Sequence, residues 1–432
     1  MFEDKIKDKT ARVAIVGLGY VGLPLAVAFA EAGLRVTGLD VQLKRVDQVN
    51  QGVSYIDDIP NERLNAVVSK GLLRATREQD RLREVDAVCI CVPTPLSKTR
   101  DPDLSYVTRE GEELSQRLRR GQLVILESTT YPGTTRQVLQ PILEKSGLKA
   151  GADFYLAFSP ERVDPGSRNF NIKNTPKIVG GIDAESTEMA RLLYQQVADK
   201  VIPVSSPDTA EMTKVFENVF RSVNIALVNE LAQLCQNMGV SVWEVIDAAA
   251  SKPFGYMPFY PGPGVGGHCI PLDPYYLAEK ALEFDFHTRF IELAAEINER
   301  MPYYVMLRVM EVLNTRGKSL KDTPILVLGV AYKKDVGDAR ESPSLKLVEL
   351  LLAKGTDLRY NDPHVATITV AGHKLSSVEL TDKALTDVEC CILATDHSAY
   401  DLHHIVGRSK VFFDARGATK HMKNANIVRL GE

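Results

Sequence analysis

The 432 residues contain no long run of Lys and Arg, and the formal net charge is -4. That argues against nucleic acid and anionic membrane as partners, leaving room only for a local basic pocket that takes a phosphate. No apolar stretch of signal-peptide length follows the opening Met1-Phe2-Glu3-Asp4-Lys5-Ile6-Lys7, and none along the chain suits a bilayer span. Cysteine is scarce. The six thiols, Cys89, Cys91, Cys235, Cys269, Cys390 and Cys391, lack the spacing of a zinc site or of a small secreted disulfide scaffold. No carboxylate or cysteine joins His403 and His404 at ligand spacing, so no metal is expected. Internal repeats and low-complexity tracts are also missing. These absences point to a reducing cytoplasm. With 44% hydrophobic and 25% charged residues, the chain reads as an ordinary globular protein of two to four domains.

Against that background one loop stands out: Pro261-Gly262-Pro263-Gly264-Val265-Gly266-Gly267-His268-Cys269-Ile270-Pro271-Leu272-Asp273. Closely spaced glycines let backbone amides approach a ligand, and prolines keep the loop out of helix and central strand. The loop delivers one thiol, and a carboxylate comes four residues later. Cysteine is most often core filler, yet a thiol presented in this way fits a nucleophile. His268 is its neighbour, but adjacent residues of an extended loop point opposite ways, so it is read as a packing or substrate contact. Cys89, Cys91, Cys390 and Cys391 lie in β-like apolar runs and are read as core thiols.

The first third carries a dinucleotide-binding signature. The apolar run Arg12-Val13-Ala14-Ile15-Val16 predicts a buried parallel strand. It runs directly into Gly17-Leu18-Gly19-Tyr20-Val21-Gly22 and a helix that ends at Gly33. A second strand, Arg35 to Leu39, stops at Asp40. Gly17 suits the tight turn, Gly19 the close approach of a pyrophosphate, and Gly22 helix–strand packing, while Asp40 can accept from ribose hydroxyls. The acid favours NAD over NADP. Arg45 could offset it, or could be a solvated helix charge. Strands at 87–92, 123–126 and 155–158 come next, with 177–181 and 200–204 as the last of the sheet. Ligands of such sheets gather at the C-terminal ends of strands. Thr94 and Thr129 are therefore placed to reach a cofactor, or equally to cap the next helix.

Beyond the strand at 155–158 comes Ser159-Pro160-Glu161-Arg162-Val163-Asp164-Pro165-Gly166, whose Glu161 could be a base or bind a polar substrate. Helical periodicity then runs from about Ser206 to Ala250, broken near Gly239. Lys214 and Asn218 share one face of it. They read either as a polar stripe or as a pair that handles an anion or oxyanion. After the cysteine loop, helices are expected at 275–284 and 288–314. A second β-α series starts at Pro324, with further strands ending at Asn361 and spanning 389–394, and is closed by Val411 to Gly417. No glycine fingerprint opens it, so it is not a second dinucleotide site. Arg340 lies between Asp338 and Glu341, where a surface ion pair would explain it.

The glycine turn, Ser159-Pro160-Glu161, Lys214 with Asn218, Gly266-Gly267-His268-Cys269 and Asp338-Ala339-Arg340-Glu341-Ser342-Pro343 occur in this order. Together they resemble the nucleotide-sugar dehydrogenase family, the UDP-glucose and GDP-mannose dehydrogenases, over essentially the whole chain. Ser159 to Gly166, Phe216-Glu217-Asn218 and Pro258 to Gly264 look most like the bacterial branch acting on UDP-N-acetylhexosamines. The resemblance implies an α/β fold of two Rossmann-like doubly wound domains joined by a long central helix and a helical dimerisation region. The expected limits are 1–205 for the NAD-binding part, 206–315 for the central part and 316–432 for the UDP-binding part. It also implies a homodimer or higher homo-oligomer.

The implied activity is a four-electron oxidation of a sugar C6 alcohol by two NAD in turn. UDP-N-acetylglucosamine is the expected sugar, its galacto and manno epimers being alternatives. Cys269 would attack the intermediate aldehyde, Lys214 and Asn218 would stabilise the C6 oxyanion, and Asp273 with Glu161 would handle protons and water. Glu161, Arg162, Val163, Lys214, Asn218, Tyr260, Gly266 and Lys333 would contact substrate, Lys333 at phosphate or uridine. Arg340 would bridge toward the cofactor. The chain departs from the family at Pro165, where many members have glutamate, and at Leu272, where many have lysine. The arginine that glucose-type enzymes place before the cysteine loop has no equivalent between Ser251 and Pro263. These changes alter the sugar pocket rather than the nucleophile. A non-catalytic binding homologue and a plain two-electron dehydrogenase are the rival readings; the presence of Cys269, Lys214, Asn218, Asp273 and Glu161 argues against the first, and the cysteine loop counts against the second.

Overall fold

Residues of Arg12–Val16 alternate between two hydrophobic cores. Val13 and Ile15 pack with Leu23, Val27 and Phe29, whereas Ala14 and Val16 pack with Leu82, Val88 and Val107. A strand buried on both faces in this way belongs inside an α/β sheet. The structure, a computed structural model, describes residues 2–56, 58–95, 103–163, 169–267, 270 and 273–432. The chain divides into two compact units, Met1–Glu217 with Tyr275–Phe286, and Asn218–Pro274 with His287–Glu432.

In the first unit eight strands form one sheet: β1 (Arg12–Val16), β2 (Arg35–Leu39), β3 (Leu73–Thr76), β4 (Ala87–Ile90), β5 (Leu123–Leu126), β6 (Tyr155–Phe158), β7 (Lys177–Gly181) and β8 (Val201–Pro203). Their order is β3-β2-β1-β4-β5-β6-β7-β8. All neighbours are parallel except β6 and β7, which run antiparallel. The order reverses between β1 and β4, and that switch point is where α/β sheets open a crevice for ligands. The register sets Val16 opposite both Leu39 and Ile90, so three strands end level there. β3 went unread in the sequence, because Leu73-Arg74-Ala75-Thr76 is short and polar at alternate positions.

The second unit has a five-stranded parallel sheet. After β9 (Pro324–Leu328) and β10 (Asp357–Asn361) comes a hairpin of β11 (Thr367–Val370) and β12 (His373–Ser376), then β13 (Cys390–Leu393), β14 (Phe412–Asp414) and β15 (Ile427–Arg429). The sheet order is β10-β9-β13-β14-β15. Val411 to Gly417 therefore does not close the series. β15 lies outside it, pairing Phe412 with Ile427 and Asp414 with Arg429.

The central helix spans Pro207–Met238 and crosses the division between the units at Glu217 and Asn218. It stops, as expected, at Gly239, whose φ of 69° is the left-handed conformation that ends helices. Val242–Ala250 comes next, its N-terminus capped by the Ser241 hydroxyl. On that helix Trp243, the one tryptophan, is buried and donates from Nε1 to the Leu430 carbonyl at 2.8 Å. Asp273–Leu282 and Arg289–Asn314 complete the helical part near the predicted limits. The five cysteines described, Cys89, Cys91, Cys235, Cys390 and Cys391, are buried free thiols. Among the described residues no helix is long and apolar enough to cross a membrane.

Candidate active site

In the first unit the turn after β1 is shaped by collisions that side chains would cause. Gly17 has φ of 90°, and a Cβ there would lie 2.6 Å from the Cys91 carbonyl oxygen. A Cβ on Gly22 would lie 1.8 Å from the Gly17 oxygen. Gly19 differs, since a Cβ there would meet nothing within 4 Å. Two glycines thus serve the fold, and the third leaves open space at the N-terminal end of the helix Gly22–Glu31, where anions bind. Asp40, at the end of β2, is buried and accepts from Leu18 N at 3.0 Å and Gln42 N at 2.8 Å, with the Arg45 guanidinium 3.3 Å away. Arg45 is thus a partner of the acid. Tyr55 was not foreseen: its hydroxyl donates to the Leu18 carbonyl at 2.6 Å, and the Arg45 guanidinium lies over its ring. Tyr20 is half exposed beside this turn and Val21 is partly buried.

A dinucleotide fits these residues. The free volume at Gly19, the amides at the helix start and the Asp40 carboxylate are what a pyrophosphate and a ribose need. Thr94 and Thr129 meet each other. The Thr94 hydroxyl donates to the Thr129 carbonyl at 2.6 Å, and the Tyr276 hydroxyl donates to the Thr94 carbonyl. Thr94 therefore ties two strand ends together rather than capping a helix.

The ends of β5, β6 and β7 bring together a buried charge cluster in the same unit. Lys177 Nζ is 2.7 Å from Glu127 Oε2 and 3.3 Å from Glu161 Oε2. Glu161 Oε1 accepts from Arg162 N at 2.7 Å and Val163 N at 2.6 Å. Burial pushes the Glu161 carboxyl up, but Lys177, these two amides and Lys214 outweigh it and hold it below the usual carboxylate range. The Tyr194 hydroxyl donates to the other oxygen of Glu127. Arg162 is turned to Glu217 and to the Pro176 carbonyl. Sequence reasoning missed Glu127 and Lys177, which are 50 residues apart and carry no local signal.

In the second unit Asn218 Nδ2 donates to Asp273 Oδ2 at 2.5 Å, and both residues are buried. Cys269 and His268, like Asp164, Pro165, Pro271 and Leu272, lie outside the described residues. Hydrogen bonds hold the first part of the loop that leads to Cys269. Gly262 N donates to Asn229 Oδ1, Asn229 donates to Asn298 Oδ1, and Asn298 donates to the Ser222 carbonyl. This chain of buried amides pins the loop to two helices, and Asn229 was not foreseen. At Gly266 a Cβ would lie 2.9 Å from Tyr332 Cβ and Pro343 Cδ, so only glycine passes there. The Tyr260 hydroxyl donates to Asp247 at 2.7 Å, and its ring stacks on Trp243. Lys333 is half-buried, and Arg340 is paired with Asp338 at 2.7 Å on the surface.

One group among the described residues, Asp335, His364 and His397, is close enough to hold a metal. Its geometry opposes that role. His397 Nδ1 accepts from Asp335 N at 3.0 Å, and Nε2 faces Asp362 Oδ2 at 3.1 Å, so neither nitrogen is left for a cation. His403 and His404 are exposed, and His404 pairs with Asp382.

Comparison with known proteins matches the chain to three successive family models. These are the NAD-binding domain of the UDP-glucose/GDP-mannose dehydrogenase family over residues 11–198, its central domain over 208–300 and its UDP-binding domain over 326–421. A UDP-N-acetyl-D-mannosamine dehydrogenase of Pyrococcus horikoshii is 38% identical over 415 residues, covering 95% of this chain and 96% of the relative. A UDP-N-acetyl-D-glucosamine 6-dehydrogenase of Salmonella typhi is 33% identical, covering 90% of each. The solved structure of the UDP-D-ManNAc dehydrogenase from Pyrococcus horikoshii superposes with a TM-score of 0.89 at 36% identity, covering 97% of this chain and 99% of that one. With the glycine turn, the Asp40 carboxylate and both sheets in place, the chain belongs to the UDP-glucose/GDP-mannose dehydrogenase family, NAD-dependent enzymes that oxidise nucleotide sugars to uronic acids.

Proposed function

We propose that the protein oxidises the C6 alcohol of a UDP-N-acetylhexosamine to the carboxylate, with the manno epimer as its first substrate. The gluco epimer expected from the sequence is the second and the galacto epimer the third. What carries the chemical part is the buried Asn218–Asp273 hydrogen bond, which sets a carboxylate four residues beyond Cys269. The preference for the manno epimer is supported by the P. horikoshii relative, which bears that activity in its name and aligns over 95% of this chain.

Bound NAD supplies the acceptor for one hydride in each of the two oxidations. The Cys269 thiolate adds to the aldehyde carbon formed by the first of them, because only a covalent adduct makes an aldehyde a second hydride donor. The resulting thiohemiacetal loses hydride to become a thioester, and water releases the carboxylic acid and the thiol. Lys214 and Asn218 hold the negative charge that develops on the C6 oxygen. Asp273 and Glu161 move protons and orient the water. Lys333 contacts the UDP, and Tyr260, Gly266, Arg162 and Val163 border the sugar. A reducing compartment and a homo-oligomer accompany this reading.

The test is NADH formed per sugar consumed, with the three UDP-N-acetylhexosamines and UDP-glucose supplied in parallel. Two NADH per sugar, fastest with the manno epimer and abolished by Cys269→Ala, are expected. A ratio of one removes the thioester step. Faster turnover of another epimer moves the sugar assignment, and no turnover on any of the four favours a binding protein.

A further inference from the structure

Lys177 opens β7 with a side chain only 5% exposed, between two carboxylates that come from different strand ends. A buried ammonium is costly to desolvate and is tolerated only with partners of good geometry. Here it has them. Glu127 Oε2 is at 2.7 Å, Glu161 Oε2 is at 3.3 Å, and the Tyr194 ring lies 5.1 Å beneath the charge. Two acids share the one cation, and burial pushes the Glu127 carboxyl up. The Tyr194 hydroxyl supports the Glu127 side, and two backbone amides support the Glu161 side. The two carboxylates have different surroundings. Glu127 is fully enclosed, whereas the Glu161 side chain keeps 16% exposure.

We propose that Lys177 is a positioning residue for Glu161: it holds one oxygen of that carboxylate while the Arg162 and Val163 amides hold the other, so that Glu161 faces substrate as a proton acceptor of fixed orientation. The proposal rests on the reading of Glu161 as a group that moves protons in the reaction. Among the described residues, the charged and titratable groups bearing on Glu161 are Lys177 on β7, Glu127 after β5, Lys214 on the central helix and the Cys91 thiol after β4. Glu217 reaches the neighbouring Arg162. Of these groups Lys177 is the one cation within hydrogen-bond distance of the Glu161 side chain, and Glu127 pulls the other way. Loss of Lys177 thus removes the nearest charge that favours an ionised Glu161. An arginine, with the same charge, preserves it.

The experiment is the pH profile of kcat/KM, measured on the full chain with the UDP-sugar that gives the fastest NADH formation. Four proteins are compared: wild type, Glu161→Gln, Lys177→Arg and the double variant Lys177→Met with Glu127→Gln. The double change avoids stranding a buried Glu127. The acid limb is expected to vanish in Glu161→Gln and to stay in place in Lys177→Arg. In the double variant it is expected to move to higher pH, by less than in Lys177→Gln because the opposing Glu127 charge is lost as well. Unchanged NAD affinity and an unchanged melting curve would show that the double variant is folded. If Glu161→Gln keeps the limb, the reading of Glu161 fails and takes the proposal with it. If that limb vanishes but the double variant only lowers kcat/KM equally at every pH, Glu161 keeps its role and Lys177 is merely structural. A double variant that fails to fold leaves Lys177→Gln, whose acid limb must shift the same way or the proposal is overturned.

Discussion

The sheets of the two units begin with the same turn and use it for opposite ends. In each, the first strand ends in a glycine of positive φ at the switch point of the sheet, 90° at Gly17 and 80° at Gly329. In each, a Cβ there would strike a carbonyl oxygen at the end of the neighbouring strand, 2.6 Å from Cys91 and 2.4 Å from Thr395. In each, the second strand ends in an aspartate that accepts from the amide just beyond that glycine. The acids then diverge. Asp40 receives two amides and a guanidinium. Asp362 receives the amides of Val330 and Ala331 and the His397 ring on one oxygen, and those of His364 and Val365 on the other. A carboxylate has about four lone-pair sites. Asp362 is spent on its own chain, whereas Asp40 retains capacity for a ribose. The residues just past the glycine differ as well. Gly19 leaves open space and the helix starts at Gly22, but Val330 and Ala331 are buried and the helix waits until Pro343. A dinucleotide site is therefore this turn with its acid and its second glycine left vacant. Without those vacancies the same backbone is a structural joint.

The parallel between the two turns can be broken in several ways. The largest effect is expected from Gly329→Ala, where a backbone collision and a positive φ coincide. It should destabilise the second unit by about 3 kcal/mol or more in denaturant melts. Asp362→Asn comes next, at about 2–4 kcal/mol, because amides and a ring nitrogen lose a charged acceptor. Its pH dependence has a definite sign. Burial pushes the Asp362 carboxyl up, but His397 and the backbone amides outweigh it and hold it below the usual range. Its contribution is therefore complete above the unfolded value of about 3.9 and fades as pH falls through the folded one. Stability measured from about pH 6 down to about pH 3 should lose that component in Asp362→Asn. Gly19→Ala should leave melting within about 0.5 kcal/mol of wild type, yet weaken NAD by roughly tenfold or more. Unchanged NAD affinity would put the pyrophosphate elsewhere. The smallest effect is expected from Arg340→Ala, whose guanidinium is mostly exposed in its pair with Asp338. A raised KM for NAD with an unchanged melting curve would support the cofactor contact that the family resemblance implies for it.

Legibility in the sequence tracked distance along the chain. Gly17, Gly19, Gly22 and Asp40 fall within a strand, a helix and a second strand, and each local requirement is written in a residue type. The break at Gly239 and the two helices after the cysteine loop were readable for the same reason. Lys177 was not, since a lysine at the start of a strand looks like any solvated charge until β5 and β6 place Glu127 and Glu161 beside it. Asp362 and His397, 35 residues apart, were hidden likewise. β15 escaped because three residues, Ile427, Val428 and Arg429, show no periodicity of their own. They become a strand by pairing with β14.

Trp243 gives the division into units a spectroscopic consequence. Its indole is enclosed, hydrogen-bonded to the Leu430 carbonyl and packed where a side chain on Gly417 would strike it. All of these residues belong to the second unit, and the first has no tryptophan. Intrinsic emission excited at the red edge of absorbance is thus a private signal from the second unit, sensitive to release of the segment around Leu430. Far-ultraviolet dichroism averages both. Recorded together during unfolding, the two signals would separate if the units melt one after the other and coincide if they melt as one.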